Sequence, residues 1–302
     1  MKARKALSVL SAFLIASIVV FSGAASAQTA TFNGNTYTSL TDAVAAVNAA
    51  GRTGTITLSA GRFEISKALY LDGMINIVGA ALDTNGEPTS IITFDDSQSF
   101  ELATDQGSGK YLVVVSNVNT TDTVVNFTNV KLIAGTPTNG CTIGGGAAAA
   151  CILGGFDYVI GDASGTVTGT ITNGIAINGT VALIVHNGAA PAGACSVTLD
   201  DFVMGDNSWG GVNIQNGGEL IIGSRGIIVA LAVTTPDAQS VYVDAGTPSA
   251  TVTLPDGSTT TVVGGTPLST LVVSFDSNNG SFFGGFLQEK IYQLLSTEPP
   301  PR

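Results

Sequence analysis

The stretch GTITLSAGRFEISKALYLDGMINIVGA, residues 54–80, restricts the fold of this chain more than any other segment. Its apolar residues alternate with other residues in four short runs, which is typical of strands with one buried face. The turns between the runs are only two or three residues long, so no helix fits between them. The stretch therefore predicts four short strands in close succession. Their core-facing residues are Ile56, Leu58, Phe63, Ile65, Leu69, Leu71, Ile75 and Ile77.

The same pattern continues at residues 124–135, 165–188 and 196–229, where Val197 and Leu220 begin two similar strands. A coil of three short strands would bury every second residue, and stacked coils would align these residues in columns. The 38 glycines, together with asparagine and aspartate, supply the tight or left-handed backbone that the corners require. A sandwich needs longer strands and a propeller needs a strict blade repeat. We therefore predict an all-β parallel solenoid.

A short helix precedes these strands. Ser39 and Asp42 are three residues apart and can cap its start reciprocally. In the segment LTDAVAAVNAAG, Leu40, Val44 and Val47 recur at helical spacing. We predict one helix with a modest apolar face that needs a packing partner.

The helix followed by the phrases TITLSAGRFEIS and INIVGA resembles the opening of right-handed parallel β-helix proteins of the pectin-lyase-like superfamily, over roughly residues 35–230. The resemblance implies a single-stranded right-handed parallel β-helix. It also implies that the helix covers the N-terminal end of the column, which would otherwise expose unpaired strand edges. A shared fold of this kind does not imply a shared function.

Residues 1–27 have the three parts of a secretory signal peptide. Lys2, Arg4 and Lys5 precede an apolar run, and the small residues at 25–27 form the cleavage region. We predict cleavage after Ala27 and a secreted or cell-surface location. No later stretch is long and apolar enough to span a bilayer, so we predict no transmembrane segment after signal removal.

The sequence beyond the signal divides into a β-helix with its N-terminal cap, residues 28–230, and a C-terminal region, residues 231–302. In the second region, Pro255-Asp256-Gly257 predicts the turn of a β-hairpin. An amphipathic helix follows, with an apolar stripe formed by Leu287, Ile291, Leu294 and Leu295. These elements either cap the far end of the solenoid or dock, with phenylalanines 282, 283 and 286, on another subunit or surface structure.

The charge balance limits the partners. The chain carries a net charge of −11, and loss of the signal leaves eight basic against 22 acidic residues, a net charge of −14. Such a surface disfavours nucleic acid. Hydrophobic residues make up 44% of the chain, which distinguishes it from a disordered acidic tail.

If the chain is exported, its three cysteines are in an oxidising compartment, where disulfides form. Cys141 and Cys151 bracket the loop CTIGGGAAAAC, and a disulfide between them would close a loop that little else holds. The alternative disulfide joins Cys151 to Cys195. Either pairing leaves one thiol over, and three scattered cysteines with a single histidine disfavour a zinc site.

Many proteins of the family that this chain resembles are polysaccharide lyases or hydrolases, so the acids need inspection. The resemblance implies either paired hydrolase carboxylates or a lyase that holds calcium and uses a basic residue to remove a proton. Asp200, Asp201 and Arg225 are the catalytic candidates, and Asp200, Asp201 and Asp206 are the calcium candidates. Adjacent strand residues point to opposite faces, so Asp200 and Asp201 share a site only if a bend intervenes.

The same acids also suit the corners of any β-helix, and an arginine can lie along its surface. His186 lacks the glycine and basic neighbours of the hydrolase pattern, and the chain has few residues from which to build a basic cleft. Trp209, the only tryptophan, either stacks on a sugar ring or fills a corner of the core.

The missing catalytic set favours an exported, non-catalytic structural or surface protein, such as a subunit of a fibre or sheath or an adhesin. Its expected partners are further copies of itself or cell-surface components, because the end caps decide whether a stack of coils polymerises. The alternative is a secreted carbohydrate-active protein, namely a calcium-dependent polysaccharide lyase, a hydrolase or a carbohydrate-binding protein. Calcium is the one cofactor that this alternative would require.

Overall fold

The computed structural model describes residues 27–94, 111–134, 154–161, 164–179, 181–188, 194–205, 207, 210–230, 239–243 and 249–265. These residues confirm the predicted all-β class, with a single helix, α1, at Leu40–Ala49. The strands in chain order are β1 (Ala30–Phe32), β2 (Asn35–Tyr37), β3 (Thr53–Leu58), β4 (Gly61–Ile65), β5 (Leu69–Leu71), β6 (Met74–Val78), β7 (Ser90–Phe94), β8 (Tyr111–Ser116), β9 (Asp122–Thr128), β10 (Val130–Ile133), β11 (Gly154–Val159), β12 (Thr166–Ile177), β13 (Val181–His186), β14 (Ala194–Gly205), β15 (Gly210–Gln215), β16 (Glu219–Ile222), β17 (Ile227–Ala230), β18 (Gln239–Val243), β19 (Ser249–Thr253) and β20 (Thr259–Val263).

Parallel pairing joins most of the strands into three ladders. Ladder 1 consists of β3, β6, β9, β12, β14, β16 and β19. Ladder 2 consists of β4, β7, β10, the second halves of β12 and β14, and β17. Ladder 3 consists of β5, β8, β11, β13, β15 and β18. The chain passes through ladders 1, 2 and 3 in this order repeatedly. Val197 and Leu220, which begin two similar strands in the sequence, pair with each other in ladder 1.

One core lies between the three ladders. Phe127 of ladder 1, Phe156 of ladder 3 and Phe202 of ladder 2 meet edge to face, with ring centroids 5.0 Å and 6.2 Å apart. All eight core-facing residues predicted in the stretch at 54–80 are buried. Burial of one such side chain contributes about 1.5–3 kcal/mol to folding, so the columns of buried residues hold the ladders together.

The bend between ladders 1 and 2 uses left-handed backbone. Asn129, Asn173 and Asp201 have φ angles of 57°, 49° and 58°, and each comes one residue after a register pair that joins β9, β12 and β14. Asparagine and aspartate adopt this conformation more readily than other residues that carry a side chain. The Nδ2 atom of Asn173 donates to Oδ1 of Asn129 at 2.9 Å, so the bends of neighbouring strands are joined by their side chains.

Buried asparagines hold the corner that follows ladder 3. Asn117 comes directly after β8, accepts a hydrogen bond from the amide of Gly161 at 2.8 Å and donates to the carbonyl of Ser164 at 2.9 Å. Asn187 comes directly after β13 and accepts from the amide of Cys195 at 2.8 Å. Each amide therefore ties one corner to backbone further along the chain, which satisfies polar groups that water cannot reach.

The two ends of ladder 1 carry antiparallel hairpins. At the first end, β1 pairs with β2 and with β3, and α1 packs against β1, β3, β4 and β5. The predicted apolar face of the helix is confirmed, since Leu40, Val44 and Val47 are buried together with Ala43. The helix therefore contacts the first strand of every ladder.

At the other end, β19 and β20 form the predicted hairpin around residues 255–257. Because β18 and β19 also pair in parallel with β15 and β16, parallel pairing continues past residue 230. Residues 1–26, the predicted C-terminal helix and phenylalanines 282, 283 and 286 lie outside the described residues. Within the described ranges, no helix has the length and apolar character needed to cross a membrane.

We expect the N-cap of α1 to contribute measurably to stability. The hydroxyl of Ser39 accepts a hydrogen bond from the amide of Asp42 at 3.3 Å, as the sequence predicts. Replacing Ser39 by Ala should lower the free energy of unfolding by about 1 kcal/mol, whereas Ser39→Asn should retain most of it. Urea unfolding followed by circular dichroism measures both values. Equal losses in the two variants would contradict a capping role.

Candidate functional site

The predicted catalytic residues come together at the bend in β14. Asp200 ends the ladder 1 half of this strand, and the left-handed backbone of Asp201 turns the chain toward ladder 2. Arg225 lies in the short connection between β16 and β17, directly beside this bend. The bend that the sequence required for a shared site is therefore present, and it brings all three residues together.

Arg225 uses most of its hydrogen-bond donors on these neighbours. Its backbone amide donates to Oδ1 of Asp200 at 2.9 Å, and its Nε and Nη2 atoms donate to Oδ2 at 2.9 Å and 2.7 Å. Its Nη1 atom donates to Oδ1 of Asn173 at 2.8 Å and lies 3.5 Å from Oδ2 of Asp201. A planar guanidinium with paired carboxylates is a strong and directional contact, and here it joins three parts of the chain.

Gly223 makes this contact sterically feasible. A Cβ atom at this position would lie 2.5 Å from Oδ1 and 2.7 Å from Cβ of Asp200. The amide of Gly223 also donates to the carbonyl of Leu199 at 2.7 Å, which continues the pairing of β14 with β16. The connection can therefore pass over the Asp200 carboxylate only because it has no side chain at this position.

The calcium candidates divide between this cluster and residues that the structure does not describe. Asp206 lies outside the described residues. Asp200 and Asp201 both face the guanidinium of Arg225, which a bound cation would have to displace. Asn207 accepts from the amide of Gly179 at 2.9 Å, so its side-chain oxygen is already used by the backbone. In the part of the chain described, no group of three or more His, Cys, Asp or Glu side chains is arranged to hold a metal.

The remaining predicted site residues are mostly outside the described ranges. Trp209 and both members of the first predicted disulfide, Cys141 and Cys151, belong to this group. Cys195 is a free and buried thiol that donates to the carbonyl of Tyr158 at 3.2 Å, so the alternative disulfide to Cys151 is not formed. Burial raises the pKa of the Cys195 thiol, and a buried neutral thiol is chemically inert.

A second polar cluster escaped the sequence analysis. Nε2 of His186 lies 3.1 Å from Oδ1 of Asp157, and the side chain of Asp157 is fully buried. Both residues lie on ladder 3, on the side opposite Phe156 and the shared core. In register, Asp157 stands opposite Ile184 and Val159 opposite His186, so aligning the phrases FDYVIG and LIVHNG would have suggested the pair.

This outer side of ladder 3 also carries buried oxygens without a hydrogen bond of good geometry to any described residue. They are Oδ2 of Asp157, Oδ1 of Asn213, the hydroxyl of Tyr70 and the hydroxyl of Ser116. An unpaired buried carboxylate or amide oxygen is costly, because burial removes the hydrogen bonds that water would supply. Any group that binds Asp157 or Asn213 here must therefore donate hydrogen bonds.

We expect Tyr70 to make the stability of the fold sensitive to high pH. Burial raises the pKa of Tyr70 to about 12 from its usual 10.0, although the neighbouring Ser116 hydroxyl partly opposes this rise. The folded chain therefore holds the proton more tightly than the unfolded chain does, and stability falls as the pH rises from 10 towards 12.

Tyr70→Phe removes this titration, so its unfolding free energy should fall less than that of the parent between pH 10 and pH 12. Burial also raises the pKa of Tyr111 and Tyr158, and both tyrosines remain in the variant, so only part of the pH dependence should disappear. Urea unfolding across this pH range measures the difference. Identical pH profiles would show that Tyr70 does not contribute.

The Arg225 cluster should contribute modestly to stability. Arg225 is 36% exposed and Asp200 22% exposed, so solvent screening limits the energy of the ion pair. We expect Arg225→Ala to lower the free energy of unfolding by about 1–2 kcal/mol, because charged hydrogen bonds are lost from the bend. Arg225→Lys keeps the charge but not the fork geometry and should give an intermediate loss in the same unfolding experiment. An unchanged stability in Arg225→Ala would contradict the structural role.

The comparisons with known proteins leave the family open. No protein-family model matches this chain, and neither a curated protein nor a solved structure does. The resemblance to the pectin-lyase-like superfamily therefore stays a prediction from the sequence. We infer the function of the chain from its own residues and contacts.

Proposed function

We propose that this chain is an exported, non-catalytic structural or surface protein built on a right-handed parallel β-solenoid. It serves as a subunit of a fibre or sheath, or as an adhesin. The repeated passage of the chain through three parallel ladders, in the same order each time, is the observation that carries this proposal. A solenoid of this kind extends in one dimension and offers a stiff support rather than a deep pocket.

Export is part of the proposal and rests on the N-terminal sequence. Basic residues, an apolar run and a small-residue exit follow one another within residues 1–27. A stiff acidic rod with few lysines stays dispersed through charge repulsion unless specific contacts overcome it. Secretion and placement at a cell surface therefore suit the composition of the chain.

The hydrogen bonds of the polar residues favour a structural role over a catalytic one. Arg225 is held by Asp200 and Asn173, Asn207 satisfies backbone groups, and Cys195 is buried and inert. A catalytic acid, base or nucleophile must be able to reach a substrate. Asp200, Asp201 and Arg225, the described catalytic candidates, instead join one part of the fold to another.

Self-association through the ends of ladder 1 would produce a fibre or sheath. Among the described strands, β2 pairs only with β1, and β20 pairs only with β19. Each hairpin therefore offers an edge strand at one end of ladder 1, and edge strands readily accept a strand from another molecule. Addition of the β2 edge of one molecule to the β20 edge of the next would continue the sheet from copy to copy.

Negative-stain electron microscopy of the purified protein at several concentrations tests this assembly. We expect ordered filaments or sheets that lengthen with concentration. Thr261→Lys places a charge on the exposed edge strand β20 and should shorten or abolish them. Thr84→Lys adds the same charge in an exposed turn and should leave assembly unchanged. Monodisperse short particles at all concentrations would contradict a fibre or sheath role.

The alternative function is a secreted carbohydrate-active protein. One observation favours it, since Asp200, Asp201 and Arg225 converge at a partly exposed bend. Incubation with acidic and neutral polysaccharides, with and without calcium, tests it directly. Cleavage that requires calcium and is lost in Arg225→Ala would replace the structural proposal, provided that the variant remains folded.

A further inference from the structure

The first ordered contacts of the chain begin directly after the predicted signal cleavage position. Ala27 is exposed and belongs to no strand, Gln28 and Thr29 are half-buried, and the buried Ala30 begins β1. The amide of Thr29 donates to Oγ of Ser59 at 2.8 Å, and the carbonyl of Thr29 accepts from the amide of Ser59 at 2.9 Å. Cleavage after Ala27 would therefore leave these contacts and every described strand pair intact.

Gln28 would be the first residue of the cleaved chain, and a glutamine at this position carries its own reaction partner. Its free α-amine can attack Cδ of the side-chain amide of the same residue. A bond forms between the amine nitrogen and Cδ, the bond from Cδ to Nε2 breaks, and the amide nitrogen leaves as ammonia with a proton from the amine. The product is a neutral lactam, the pyroglutamyl residue. Because both groups belong to one residue, the reaction needs neither an oxidant nor a second substrate.

The surroundings of Gln28 leave room for this ring. A Cβ atom at Gly61 would lie 3.2 Å from Cβ and 3.9 Å from Cα of Gln28, so a side chain at this position would crowd the terminal residue. The φ angle of Gly61 is 131°, in a region that favours glycine. Within the described ranges, no hydrogen bond or ion pair holds the side chain of Gln28. The amide is therefore free to fold back on the terminal amine.

Ring closure also removes a charge from a half-buried position. The α-ammonium group of an uncyclised Gln28 would lie beside Gly61, where the neighbouring chain takes away part of its hydration. The lactam is neutral and avoids this loss. It also lacks the free amine that aminopeptidases recognise, which suits a chain that functions outside the cell.

We propose that Gln28 becomes the N-terminal residue of the exported chain and closes to a pyroglutamyl residue. This inference rests on the export that is part of the proposed function, because only cleavage after Ala27 frees the amine. It does not depend on assembly into fibres or on any action on carbohydrate. The modification and the assembly can therefore be measured, and can fail, independently.

The test uses the full chain with its own signal, produced in a host that exports it. Mass spectrometry of the exported protein should show a chain that begins at residue 28 and is lighter by one ammonia molecule. Fragmentation of the N-terminal peptide should place this loss on Gln28, which separates it from ammonia loss at the nearby Asn33-Gly34 pair. Stepwise N-terminal sequencing should be blocked until pyroglutamyl peptidase removes the first residue, and it should then begin at Thr29.

Two variants and one peptide serve as controls. Gln28→Ala has no amide to attack, and Gln28→Asn keeps an amide whose shorter side chain would have to close a strained smaller ring. Both variants should be exported, cleaved at the same position and readable by sequencing without the peptidase. The synthetic peptide QTATFNGNTYT, residues 28–38, is carried through the same steps and measures how much ring closure occurs during handling. Circular dichroism establishes that the variants are folded.

Three results would overturn the proposal. They are an exported chain with a free amine on Gln28, a chain that is cyclised to no greater extent than the peptide, and an exported chain that begins at another residue. A protein that stays in the cell with residues 1–27 attached would contradict export itself, so the mass of the chain tells the two failures apart. Filaments of a chain with a free Gln28 amine would leave the assembly proposal standing and this one refuted.

Discussion

Parallel backbone pairing between short strands is the interaction on which the rest of this structure depends. Apart from β12 and β14, the strands of the ladders contain three to seven residues, and strands of this length are not stable in isolation. Stacking gives each strand two neighbours and places its buried side chains in a column with theirs. Phe127, Phe156 and Phe202 show that the three ladders share one core. The loss of one strand pair would therefore expose apolar surface on both sides of the gap.

Pairing alone does not turn the chain from one ladder to the next, and the polar residues perform that task. Asn129, Asn173 and Asp201 adopt left-handed backbone at the bend between ladders 1 and 2, and side-chain hydrogen bonds connect them. Arg225 extends this network by joining Asn173 to Asp200. The residue types that resemble a catalytic set are thus the same ones that the bends require. Aspartate and asparagine suit both a catalytic site and a backbone bend, so acids in such a chain are weak evidence for an enzyme.

The three outer faces share one core but differ in exposure and chemistry. The outer side of ladder 3 holds the buried Asp157 and its partner His186, whereas the outward side chains of ladder 1 are mostly polar and none of those described is buried. A stack of coils with a largely polar outer face suits a role as an extended support. The ends of ladder 1 and its face offer two distinct kinds of contact.

The sequence by itself determined the local elements. Period-two alternation located the strands at 54–80, the Ser39 and Asp42 spacing located the helix start, and the Pro-Asp-Gly turn located the hairpin of β19 and β20. The tertiary structure alone decided which distant residues meet. Asp157 and His186 are 29 residues apart, Asp200 and Arg225 are 25 apart, and both pairs depend on the register in which one strand lies on another. Alternation placed Asp200 and Asp201 on opposite faces, and the left-handed backbone at Asp201 brought both beside Arg225. Local sequence encodes periodicity and turns, but contacts between ladder neighbours and the exposure of each face arise only when the strands are stacked.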